Sequence, residues 1–95
     1  MARNAPIVDP ELAEAVAIFK DVDAQWVFRS VNRRLSVAAH ELARGLQKTE
    51  AVVSKLLELL VDKGLVKRHD PEPGEVALYS PTKKGARVFW GLVQM

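Results

Sequence analysis

The residues able to do chemistry in this chain fall into two groups, and the first offers no reaction. His40 and His69 are the two histidines. They fall in different predicted elements, and neither has a cysteine or a second histidine at metal-ligand spacing. There is no glycine-rich phosphate loop and no carboxylate pair in a plausible cleft. An enzyme is therefore not expected, and neither is a cofactor or a metal. The second group lies in the middle of the chain: Arg44, Lys48, Thr49, Glu50, Ser54, Lys55, Lys67 and Arg68. Lysine and arginine can neutralise phosphates, and hydroxyls can donate to phosphate oxygens. A glutamate can accept from cytosine N4. This is the chemistry of holding a polyanion, double-stranded DNA first.

The chain as a whole bounds that reading. Its 95 residues suit one domain, 1–95, with enough chain for a core but little to spare, so self-association would help it. A composition of 48% hydrophobic and 27% charged residues is that of an ordinary globular protein. No apolar run is long enough to span a membrane. The N-terminus lacks the apolar core and cleavage site of a signal peptide, so a cytoplasmic location is expected. The absence of cysteine excludes disulfides and thiolate metal sites. The net charge of +2 is unevenly spread: residues 1–28 carry two cations against five carboxylates, which leaves +5 on residues 29–95. A polyanion would meet the later part of the chain, although a normally solvated surface has the same look.

Short elements must position these side chains. Residues 1–8 are expected to be loose. Asp9-Pro10 opens a helix to about Lys20, capped by Asp9 and carrying Leu12, Ala15, Val16 and Phe19 on one stripe. Asp21 or Asp23 caps a second helix with Ala24, Val27, Phe28 and Val31 on one face, fading at Asn32-Arg33-Arg34. Leu35 reads as a very short strand, and Ser36 as the cap of a helix from Val37 to about Gly45. A further helix begins near Thr49 and ends at Gly64, with Val53, Leu56, Leu57 and Leu60 at i, i+3, i+4, i+7. Leu65–His69 and Val76–Ser80 form a hairpin, turned at Pro73-Gly74 with type II geometry. Pro81-Thr82 opens a last helix bearing two apolar stripes, one of Ala86, Phe89, Trp90 and Val93, the other of Val88, Leu92 and Met95. One stripe docks the helix on its own domain, and the second calls for another copy of the chain. A dimer interface of Leu12, Val16, Phe19, Val88, Leu92 and Met95 is expected, the alternative being one compact core that buries both stripes.

The result is a mainly α fold with a small β-hairpin (α+β), in the order α-α-β-α-α-β-β-α. Residues 9–34 form the N-terminal helices, 35–80 a helix-turn-helix with a wing, and 81–95 a C-terminal dimerisation helix. That order is joined by Ser36-Val37, Glu41-Leu42-Ala43, Leu46, Val53-Ser54-Lys55-Leu56-Leu57 and Lys63-Gly64-Leu65-Val66-Lys67-Arg68. With Asp70-Pro71-Glu72 and the run from Leu78 to Gly85, the chain resembles the winged helix-turn-helix transcriptional regulators of the MarR type, particularly their short archaeal relatives. The likeness runs from about Leu35 to Leu92 and passes the helix-turn-helix without a gap. It implies a homodimer held by its terminal helices on a pseudo-palindromic duplex, with recognition helix 49–63 in the major groove and the wings along the flanking backbone. Such regulators often bind small aromatic effectors between the dimerisation and DNA-binding regions, but no residue here points to such a pocket.

Three features depart from the family pattern. The turn between the two helices usually holds glycine, where this chain has Gln47, and a left-handed backbone there would strain it. The recognition helix usually opens with polar residues, and here it opens Thr49, Glu50, Ala51, Val52. Ala51 or Val52 could touch a thymine methyl. Equally, Glu50 can simply favour the positive helix terminus while Val52 packs. The wing tip carries Asp70, Glu72 and Glu75 and no arginine, so insertion into the minor groove is not expected. Lys67 and Arg68, with Arg44, Lys83 and Lys84, are left to hold backbone phosphates, and a largely backbone-driven affinity follows. Arg29, Arg33 and Arg34 make a further basic cluster, or a solvated helix end. The acidic wing and apolar helix opening also suit a protein–protein interaction module in a transcription or repair assembly, which the same scaffold can serve.

Overall fold

A computed structural model of the chain describes residues 19–93. Residues 1–8, most of the helix expected over 9–20 (Leu12 and Val16 with it) and Met95 lie outside the described residues.

Helix α1 spans Val22–Arg34. Asp21 is its cap: one carboxylate oxygen accepts from the backbone N–H of Asp23 at 2.9 Å and of Ala24 at 3.3 Å. Its expected stripe of Ala24, Val27, Phe28 and Val31 is fully buried. Where a strand was expected at Leu35, the chain instead closes α1 in a left-handed conformation (φ 69°), and Leu35 stays 62% exposed. Two residues later Val37 is buried and exchanges both backbone hydrogen bonds with Tyr79, at 3.0 and 2.8 Å. The short strand is thus a one-residue bridge at Val37, displaced because the chain must first turn out of α1.

Helix α2 spans Ala39–Leu46, two residues later than expected. Ser36 does not cap it. Ala38 precedes the first turn, and its N–H donates to Glu41 Oε1 at 3.0 Å, one half of a capping box. Helix α3 spans Glu50–Asp62 and buries Val53, Leu57 and Leu60 completely, with Leu56 at the margin. It ends at Gly64 (φ +73°), where Leu65 N–H donates to the Leu60 carbonyl and Gly64 N–H to that of Val61, both at 2.9 Å. This is a Schellman closure, which needs the positive φ that glycine accepts.

Strands β1 (Val66–His69) and β2 (Leu78–Pro81) pair antiparallel, with Val66 opposite Pro81 and His69 opposite Leu78. They are shorter than the sequence suggested, and Val76 is exposed outside the ladder. The tip contains the expected turn: Glu75 N–H donates to the Glu72 carbonyl at 2.9 Å around Pro73 and Gly74 (φ +86°).

Helix α4 spans Lys83–Val93. Its start is stitched to the end of α3 and the base of the wing. Thr82 Oγ1 donates to the Gly64 carbonyl at 2.6 Å and accepts from Gly85 N–H at 2.9 Å, while Lys84 Nζ donates to the Lys63 carbonyl at 2.9 Å. At Gly85 the helix rests directly on the Leu65 backbone: an added Cβ would overlap the Leu65 carbonyl oxygen and sit 2.9 Å from its carbonyl carbon.

Candidate nucleic-acid interface

Helices α2 and α3 and the turn between them form a helix-turn-helix. Gln47 does adopt the left-handed backbone (φ 61°, ψ 41°), at a cost of about 1–2 kcal/mol for a residue with a Cβ. Lys48 N–H returns to the Ala43 carbonyl at 3.2 Å, closing the turn. Thr49 then caps α3, its Oγ1 accepting from Val52 N–H at 3.3 Å. The Thr49 hydroxyl keeps its hydrogen free to donate to another acceptor.

The helical repeat sets the outward face of α3. Ala51, Val52, Lys55, Glu58, Leu59 and Asp62 are all exposed, opposite the buried line of Val53, Leu57 and Leu60. Its first two turns carry Lys55, Glu50 and the positive end of the helix dipole, and its last two turns carry the two carboxylates of Glu58 and Asp62 with no cation. Such a helix can approach a polyanion only with its N-terminal half leading. Arg44, Lys48, Thr49, Glu50 and Lys55 are exposed around that half, and Ser54 is half-buried. Lys48 Nζ stands 3.9 Å from Asp23 Oδ2 of α1 in a solvent-exposed pair worth little. Among the described residues, no ion pair engages Arg44 or Lys55.

The wing divides the two cations expected to work together. Directly paired residues share a face of a ribbon, and neighbours along a strand alternate. Lys67, opposite Ser80, therefore shares a face with His69, whose Nε2 lies 2.7 Å from Ser80 Oγ. Arg68, opposite Tyr79, is on the other face, and its Nε is 3.5 Å from Asp70 Oδ1. One side of the wing can thus offer a phosphate Lys67 or Arg68, not both. Asp70, Glu72 and Glu75 at the tip are exposed. Lys83 is exposed as well, whereas the ammonium of Lys84 holds the end of α3. Of the cluster at the end of α1, Arg34 pairs with Glu41 of α2 at 3.9 Å. Arg29 and Arg33, one helical turn apart, line a cavity of about 230 Å³ with Phe19, Phe28, Phe89 and Leu92. Sequence reasoning missed that cavity; its signal was the i, i+4 arginine pair beside Phe28.

The two stripes of α4 are sorted differently from expectation. Val88 is buried in the domain's own core, and Phe89 and Leu92 pack against that core. Phe89 meets Phe28 edge-on at 6.2 Å, and Phe28 stacks at a tilt on Phe19 at 5.0 Å. The large apolar residues α4 leaves in solvent are Trp90, 60% exposed, and Val93, 58% exposed.

Neither histidine has metal-binding company: among the described residues no three His, Cys, Asp or Glu side chains group closely enough to hold an ion. No helix among them is long and apolar enough to cross a membrane.

Comparison with known proteins agrees with this geometry. A family model described as FeoC like transcriptional regulator matches residues 27–79, more than half of the chain. A search of the curated proteins finds no match. Among solved structures, the reduced form of MarR from E. coli superposes with a TM-score of 0.69 at 26% identity, covering 90% of this chain and 65% of that one. A mutant of the same MarR complexed with operator DNA gives a TM-score of 0.69 at 24% identity, with 90% and 63% covered. A MarR family transcriptional regulator from Silicibacter pomeroyi gives 0.72 at 21% identity, with 90% and 58% covered. The fold is that of the MarR-type winged helix-turn-helix regulators. The chain spans less than two thirds of the length of these relatives.

Proposed function

The chain belongs to the family of FeoC like transcriptional regulators, and on that premise we propose that it is a double-stranded DNA-binding transcriptional regulator acting as a homodimer in the cytoplasm. The observation that carries the proposal is the N-terminal half of α3: it is exposed, capped by Thr49, and flanked by Arg44 and Lys55, which no ion pair engages among the described residues. The MarR structure solved with operator DNA has the same fold. In this reading α3, within recognition segment 49–63, enters the major groove. Arg44, Lys48, Thr49, Lys55 and one wing-base cation hold backbone phosphates, while Glu50 and Ser54 border the bases. Affinity is largely electrostatic, because few donors on α3 can read a base pair.

The whole of 1–95 is read as one winged-helix domain whose terminal helices dimerise. We assign Leu12, Val16 and Met95 to that interface, with Phe19, which packs on Phe28 and the core, at its edge. Exposure adds Trp90 and Val93 from α4, while Val88 supports the interface from within the core and Leu92 from its edge.

Titration of random-sequence duplexes at several salt concentrations tests the function. Each phosphate contact adds about 0.9 to the negative slope of log affinity against log salt. Replacing Lys55 and Arg68 by alanine should weaken binding to all sequences alike. It should lower that slope by roughly two per chain where Arg68 is the wing-base cation engaged, or by roughly one where it is Lys67. No binding even at low salt would refute the DNA reading and leave α3 as a protein-docking surface.

A further inference from the structure

The exposed start of α3 has an unusual inventory for a helix that meets base pairs. Glu50, Ala51, Val52 and Lys55 are exposed and Ser54 is half-buried, and none of them is an arginine, asparagine or glutamine. Those three side chains, with lysine, supply the contacts that single out guanine or adenine in the major groove, so Lys55 is the one such reader of the five and Glu50 the one acceptor for cytosine. Val52 is the large apolar residue that this leading half leaves in solvent. It is 40% exposed, while its neighbour Val53 is fully buried and does the packing; Leu59 and Val61, 38% and 36% exposed, lie in the other half, with the carboxylates of Glu58 and Asp62. A β-branched residue on the surface of a helix gains nothing from intrinsic propensity, for alanine is the better helix former. Its backbone N–H is already held by Thr49, which fixes the first turn and the direction of this side chain. The apolar group that a standard base pair shows to the major groove is the C5-methyl of thymine.

We infer that Val52 is a specificity-determining residue that packs on thymine methyl groups, so that the protein prefers duplexes rich in A·T pairs through their methyls. The inference rests on the DNA-binding reading above. Lys48 and Lys55, on either side of Val52 in the chain, bring the helix down on the phosphates, and Val52 then meets whichever methyl lies beneath it. Lys55 and Arg44 bind any sequence; Val52 ranks sequences.

The test uses alternating A–T copolymer duplex and its deoxyuridine counterpart, which lacks only the methyl, because these present a contact in every register. The full chain and Val52→Ala are titrated on both. Alanine at this exposed helical position keeps the fold, which equal thermal midpoints verify. Withdrawing one methyl from an apolar contact costs a factor of about four, so wild type should lose about fourfold per engaged recognition helix on the uracil polymer. Val52→Ala should bind both polymers within about twofold, since its side chain no longer reaches the methyl. Equal affinity of wild type for both polymers overturns the inference while leaving DNA binding intact. An equal loss by wild type and Val52→Ala also overturns it, assigning the preference to Ala51 or to duplex shape. Binding to no duplex removes the DNA reading itself and this inference with it.

Discussion

Replacing Gly85 by alanine should sharply destabilise the protein, although alanine is the better helix former. In the first turn of α4 the substitution by itself would gain at most about 1 kcal/mol. Against that gain, the new Cβ collides with the backbone of Leu65, a partner that cannot rotate away as a side chain would. Relieving the overlap requires α4 to lift off the α3–β1 turn, and overpacking of this kind costs about 1–3 kcal/mol. Lifting the helix also pulls on two bonds of the junction, Thr82 Oγ1 to the Gly64 carbonyl and Lys84 Nζ to the Lys63 carbonyl. Each is worth about 1 kcal/mol net. Together these leave a loss of about 2–4 kcal/mol, and in a domain of this size that lowers the melting midpoint by roughly 10–25 °C. Urea and thermal unfolding followed by circular dichroism, at one protein concentration, measure it. Gly45→Ala is the matched control. There the new Cβ meets the edge of the Trp26 ring at 2.9 and 3.3 Å, a half-buried side chain that can pivot, so the net change should stay within about 1 kcal/mol. A Gly85→Ala protein as stable as wild type would refute the claim that α4 is seated on the Leu65 backbone.

Further expectations follow from other sites. Gln47→Gly relieves the left-handed strain in the helix-turn-helix turn at some cost in unfolded-chain entropy, a net stabilisation of about 0.5–1 kcal/mol; a lower melting midpoint would contradict it. Neutralising the wing tip with Asp70→Asn, Glu72→Gln and Glu75→Gln frees Arg68 from its acidic neighbour and removes repulsion from phosphate. Affinity for random duplex should rise by about threefold to tenfold at low salt, an effect that fades at high salt, and an unchanged affinity would place the tip away from DNA. Trp90→Asp introduces a charge where α4 exposes its largest apolar side chain. Sedimentation at micromolar concentration should show a weakened dimer with an intact domain; an unaltered dimer would move the interface off this face.

Where the fold was legible, a repeated physical signal made it so. Ala24, Val27, Phe28 and Val31 announce α1 because one buried helical face repeats every 3.6 residues. Thr49, Gly64 and Pro73-Gly74 mark ends and turns because each solves a local backbone problem. Val37 was missed as the strand residue because a single bridge has no period, and Leu35 is equally apolar. The stripes of α4 could be seen but not sorted, since both have helical spacing and the inward face takes Phe89 from one and Val88 and Leu92 from the other, a choice made only by packing on Phe28 and the core. The candidate site was legible as a set of residue types, less so as an arrangement. That Lys84 holds the end of α3 while Lys67 and Arg68 face opposite ways depends on pairings between distant parts of the chain.

The junction around Thr82 has a mechanical consequence. Its hydroxyl ties the end of α3, the wing base and the first turn of α4 into one block, so the axis of α4 works as a lever arm rigidly attached to the recognition helix. In the proposed dimer the angle at which two α4 levers cross would set the distance between two recognition helices. A half-site displaced by one base pair moves by about 3.4 Å along the duplex and turns by roughly 35° around it. The protein would meet that displacement by rolling whole domains about the α4 contact, because the helix-turn-helix has no slack of its own to give.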